Sequence, residues 1–165
     1  MPTVTDTQIR QAIATIIDGV QPNAKIYPRW MQAFEAGEFV ALLRSADDSD
    51  RVNCWMVSRV RRDEDLASEP VDLTWTYAVN FYFQYEFGND SQNSEDALAT
   101  HLETVTKAIR DNPDLNLGHV DIREHGGLQN TAIGVVAFGE TLVHIAQGEL
   151  DVFLRDLEQS NEESD

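Results

Sequence analysis

Cysteine is nearly absent: Cys54 is the only one, so no intrachain disulfide can staple the fold. Lysine is scarce as well. Of the 12 basic residues only Lys25 and Lys107 are lysines, against 29 acidic residues and a formal net charge of −17. A chain this acidic repels phosphate, which argues against unaided binding to nucleic acid or to anionic membranes. No apolar run approaches the roughly 20 residues that cross a bilayer. Residues 1–6 have neither the basic nor the apolar region of a signal peptide, so the expected site of synthesis is a cytoplasm. Without secretion, the sequon Asn89-Asp90-Ser91 carries no meaning. Gly-x-Ser-x-Gly, His-Glu-x-x-His and a phosphate-cradling glycine loop are all missing. The reading is therefore non-catalytic, with no cofactor and no metal.

What is present suits one domain. The chain has 165 residues and is 42% hydrophobic, enough for a sizeable core. The expected domain covers residues 1–155, followed by an acidic tail, 156–165, that reads as disordered. Thr5 or Asp6 caps a first helix with an apolar stripe of Ile9, Ile13, Ile16, Ile17 and Val20. Residues 24–37 read as an irregular connection, with a turn of helix at 30–36. Residues 39–44 form a short apolar run of strand type, and 51–62 a second strand beyond a polar turn. That strand sets Val52, Cys54, Met56 and Val60 on one face and Arg51, Trp55, Val57, Arg59 and Arg61 on the other.

The clearest signal lies at 71–87. Every odd position there is apolar or aromatic, from Val71 to Phe87, while the even positions are mainly polar. Period-two alternation predicts a strand with one buried and one wet face. A helix capped by Asn93 or Ser94 follows, with a stripe of Leu98, Leu102, Val105 and Ile109, closed by Asn112-Pro113. A Gly126-Gly127 turn leads to a strand at 128–138, and residues 142–154 are either a further strand or a helix from Gly148. The expected class is α+β: a mostly antiparallel twisted sheet, two main helices packed on one face, and a long β-hairpin arm.

The arm follows from length. Seventeen residues of strand span about 56 Å, whereas a chain of this size forms a body about 40 Å across. Either the strand bends, or its end projects with Phe81, Phe83, Tyr85 and Phe87 on one face. An apolar face of that kind invites a partner, so these four are candidate subunit-interface residues. Arg59, Arg61 and Arg62 join them: the cluster runs straight into Asp63, Glu64 and Asp65, and reads either as local pairing or as an electrostatic contact between subunits.

The remaining candidates have simpler readings. His119, Asp121, Arg123 and His125 share a strand face that could offer metal ligands, but Arg123 puts a fixed positive charge among them. His101 falls on a helix surface, and His144 reads as a satisfied, half-buried histidine. The turn at Asp47-Asp48-Ser49-Asp50 lacks the glycine and distal glutamate of a calcium loop. Cys54 reads as a buried small hydrophobe.

The segments 9–20, 37–60, 77–85, 96–109, 118–129 and 142–146 together resemble, in layout, the tail-terminator (tail-completion) and neck proteins of tailed bacteriophages. The resemblance covers most of the chain; the 24–37 connection and the acidic tail fall outside it. It implies a structural virion protein, assembled in the host cytoplasm as a homo-oligomeric, commonly sixfold, ring at the head-proximal end of the tail. Its partners would be other neck and tail-tube proteins. DNA would be a passing cargo repelled by an acidic lumen. The competing readings are an acidic DNA-mimic inhibitor and a small binding domain.

Overall fold

The computed structural model describes residues 4–47, 49–67, 72–86, 91–122 and 126–154. Helix α1 (Asp6–Val20) starts at Thr5, whose hydroxyl accepts the Gln8 amide while the Gln8 side chain returns to the Thr5 amide, a reciprocal cap. Its buried stripe is Ile9, Ile13, Ile16 and Ile17; Val20, expected in the stripe, is exposed at the helix end. Helix α3 (Ser91–Arg110) buries Leu98, Leu102, Val105 and Ile109, as their spacing predicts. It begins ahead of Ser94, so Ser94 lies inside the first turns and is not the cap.

Among the described residues six strands form one sheet: β1 (Lys25–Tyr27), β2 (Asn53–Asp65), β3 (Asp72–Gln84), β4 (Val120–Asp121), β5 (Gln129–Phe138) and β6 (Thr141–Leu154). The order is β1-β2-β3-β6-β4, and β5 pairs with the opposite end of β6 from β4. All pairings are antiparallel except β1 with β2, so the sheet is mixed, and it is strongly curled. The 142–154 segment is strand to its end, and its even positions from His144 onward are buried.

One face of the sheet carries Trp55, Trp75, Tyr77, Val79, Phe81, Leu150 and Val152 against α1 and α3, forming the main core. The other face carries Cys54, Met56, Tyr82 and Val143 against Leu43 and Val52, with Phe39 and Val40 packed alongside. Two expectations are corrected here. Residues 39–44 are not a strand: α2 (Ala36–Leu42) takes most of that run, and only Arg44 bridges Val52. Phe39, Val40 and Leu43 fit a helical stripe as well as a strand, and Ala36, Glu38, Ala41 and Leu42 favour helix. The even face of β3 is not wet either: Thr76, Asn80 and Tyr82 are buried, Tyr82 against Phe39 and Val40 of α2. Among the described residues there are thus three helices, with α1 and α3 on one face and α2 on the other.

The aromatic end of β3 does not project. Phe81 is fully buried, stacked on Trp55 with ring centroids 4.1 Å apart and planes 11° apart. Phe83 is half-buried beside His101, and Tyr85 packs on His144. A twisted, curled sheet shortens the span of a long strand and lets helices close over it. The exposed end of the β2–β3 hairpin is the opposite one, residues 59–66. Val71, Phe87, Asp48, the Asn89-Asp90 pair, Arg123, His125 and the acidic tail 156–165 lie outside the described residues.

Candidate functional site

At the outer end of the β2–β3 hairpin, the three expected arginines are all exposed. The strand register shifts between Arg59 and Arg61, a bulge that lets them diverge. Arg61 Nε lies 2.6 Å from Asp63, and Arg62 pairs with Glu64. The Arg59 guanidinium sits 5.1 Å over the Trp75 ring and 3.9 Å from Asp6 of α1. Of the two readings of this cluster, local pairing is what the isolated chain adopts. These groups stay in water, where such pairs exchange partners at little cost.

Of the aromatic candidates, Phe81 is wholly internal, while Phe83 and Tyr85 are partly covered. The structure therefore does not bring the six described candidates onto one patch. The arginines lie at the exposed end of the hairpin, and Phe81, Phe83 and Tyr85 at its anchored end.

Four features could carry chemistry. Cys54 is fully buried, and burial pushes its thiol up to about 12, which keeps it protonated and inert. Asp47 accepts the Ser45 hydroxyl and the Ser49 amide, which hold its carboxyl below the ordinary range; it shapes a turn. Asp50 lies 3.3 Å from Arg44. An open cleft of about 500 Å³ runs between the end of α1, the 45–53 segment and α3, and includes Arg51, Asn53 and His101. The Thr100 and Thr104 hydroxyls along it are engaged by backbone carbonyls of their own helix, and the Ser45 hydroxyl is bonded to Asp47, which also accepts the Ser49 amide in the turn. Among the described residues, no three His, Cys, Asp or Glu side chains gather as a metal site.

His144 is the most informative polar group. It is 2% exposed, and its Nε2 lies 3.0 Å from the buried Ser94 hydroxyl of α3. His101 is not on the helix surface but half-buried, with its ring 5.1 Å from that of Phe83 and 5.7 Å from that of Phe81. Burial holds both rings below the ordinary histidine value of 6.5, with Glu95 opposing the effect at His144. A serine bonded to a histidine is the start of a nucleophilic pair, but this one is sealed under α3 and Tyr85, out of reach of a substrate.

The sign of the resulting pH dependence is fixed. Below 6.5 the unfolded chain protonates these rings while the native chain resists, so the unfolded state binds more protons and stability falls as pH drops. The shifted carboxylates Asp47 and Asp111 titrate below 3.8 and leave this window untouched. The urea midpoint is therefore expected to fall between pH 7.5 and pH 5.5. His144→Gln should flatten that slope. A midpoint unchanged over this range would rule the account out.

The strand expected at 128–138 is present as β5, but its near-complete exposure was not expected from the sequence. In β5 every residue from Gln129 to Ala137 is exposed, including Ile133, Val135 and Val136. The signal was available: residues 129–138 contain no charged residue in a chain that is 25% charged. No helix of the described residues is long and apolar enough to cross a membrane. A comparison with protein-family models found no match, and a comparison with curated proteins found none either.

Proposed function

We propose that the chain is a non-catalytic structural protein of a tailed-phage virion, one subunit of a ring at the head-proximal end of the tail. The observation that carries the reading is the order of elements. An N-terminal helix is followed by β1, α2 and the β2–β3 pair, then a helix packed on the sheet, then closing strands; this matches the layout of the resemblance except that α2 stands where the first strand of its β-hairpin was expected. Two further features are consistent with it. The charge of −17 suits a wall past which DNA must slide without binding. The exposed hairpin end at 59–66, with Arg61 and Arg62 paired to the exposed Asp63 and Glu64, can exchange those partners for acids of a neighbouring subunit. In this reading the hairpin end is the arm, and the aromatic end of β3 anchors it. The ring's neighbours are other neck and tail-tube proteins, and no membrane is involved.

The test is removal of the gene from the phage that carries it, with particles viewed by electron microscopy. The expected result is DNA-filled heads and separate tails of irregular length, restored by supplying the protein. Infectious particles formed at normal yield without it would overturn the proposal.

A further inference from the structure

The sheet has two long open sides, and the chain treats them differently. On one side β1 covers only Cys54 to Met56 of β2, and the strand beyond presents Arg59, Arg61, Arg62, Asp63 and Glu64. Charges on an edge strand discourage another strand from adding to it. On the other side β5 has neither charge nor proline over ten residues, and Ile133 is 61% exposed. A bulge between Asn130 and Ala132 disturbs the start of this edge, but from Ile133 to Ala137 it carries no charge, proline or bulge.

Its free hydrogen-bonding groups can be placed. The β5–β6 connection is a two-residue turn, Gly139-Glu140, with φ 63° at Gly139 and Phe138 opposite Thr141. In such a hairpin the pair next to the turn is hydrogen-bonded and the pairs then alternate. Phe138, Val136 and Gly134 therefore point their backbone groups at β6. Ile133, Val135 and Ala137 point theirs outward, and among the described residues no backbone group outside the sheet reaches them.

We propose that this edge pairs with β5 of a second copy, antiparallel, with Val135 on the two-fold axis. Val135 then faces Val135 of the second copy, and Ile133 faces Ala137 of the second copy on either side. All three outward residues are matched, with about six hydrogen bonds across the junction. The same register puts Val136 opposite Gly134 of the second copy on the reverse face, where the missing side chain leaves room. The strand is self-complementary about that one position, which favours a second copy over an unrelated strand. Charge points the same way: two chains of −17 repel, and this charge-free edge is where they can meet with least opposition. The nearest acids along the strand pair are Glu140 and Glu149. Screening them should strengthen the pair, so added salt favours it. This inference does not rest on the ring reading, since a heterologous ring joins two different patches and this contact uses one patch twice.

The test measures the mass of the full chain by sedimentation at micromolar concentration, in low and high salt. A dimer that strengthens with salt is expected. Val135→Lys should abolish it and leave the circular dichroism and urea midpoint unchanged, because the site is exposed. Val135→Cys gives an independent readout: on the axis it meets itself, and mild oxidation should yield a covalent dimer that Val60→Cys on the charged edge does not. The native Cys54 is buried and does not compete. A monomer under all conditions, with no selective cross-link, would overturn the proposal. So would an oligomer, including a six-membered ring, that survives Val135→Lys; that outcome would leave the ring reading standing.

Discussion

Replacing Phe81 by alanine is expected to lower the free energy of unfolding by about 3–5 kcal/mol. Phe81 lies in mid-β3, paired with Trp55 of β2 and Ala146 of β6, and is fully shielded from solvent. Its ring stacks on Trp55, lies 5.6 Å from Phe83 and meets His101 of α3 edge-on. Truncation removes these contacts and leaves a cavity under α3 that Ala146 is too small to fill. Domains are commonly stable by only about 5–15 kcal/mol, so the loss is a large share of the total. In urea, the midpoint should fall with the slope unchanged. The same substitution separates two views of this residue. An interface phenylalanine exposed in the free subunit would leave the midpoint where it was and impair assembly alone.

The second large effect is expected at Gly148, in mid-β6. Two considerations favour a larger residue there: glycine is a poor strand former, on a scale spanning about 1 kcal/mol, and replacing it lowers the entropy of the unfolded chain by about 0.4–1 kcal/mol. Space opposes both. A Cβ at this position would lie 2.9 Å from Leu128 Cδ1, 3.2 Å from the Val79 carbonyl oxygen and 3.4 Å from Asn130 Oδ1. Leu128 can turn away only by leaving the core it helps close, and the Val79 carbonyl belongs to the paired strand. Overpacking of this kind costs about 1–3 kcal/mol for added methylenes. Gly148→Val, with branches as well as a Cβ, should reach the upper end and destabilise despite its better propensity. A urea midpoint at or above that of the parent chain would show that the sheet opens there more readily than the geometry implies.

Much of the fold was legible in the residues. The stripes of α1 and α3 follow from apolar spacing of three and four, and the odd face of β3 from its alternation. The two-sided character of β2 was visible as well: Cys54 and Met56 go to one core, Trp55 and Val57 to the other. In contrast, the run at 39–44 is too short for its period to be decided. Nothing local marks Thr76 or Asn80 as buried, since both are polar; Thr76 is accommodated by a hydrogen bond to Asp151, 75 residues away. Ser94 and His144 meet across 50 residues, with no spacing to announce them.

For the candidate interface the division is similar. The arginine cluster and the charge-free stretch of β5 are facts of composition along the chain. Which of them lies at an open edge is not. Sequence by itself determined the periodicities, the charge and the absence of disulfides, because these depend on residues within a few positions of one another. Only the tertiary structure decided that Phe81 is core and that β5 is bare. Burial depends on what packs against a face, and those partners come from distant segments: α3 closes over Phe81, while no element of the described residues closes over Ile133.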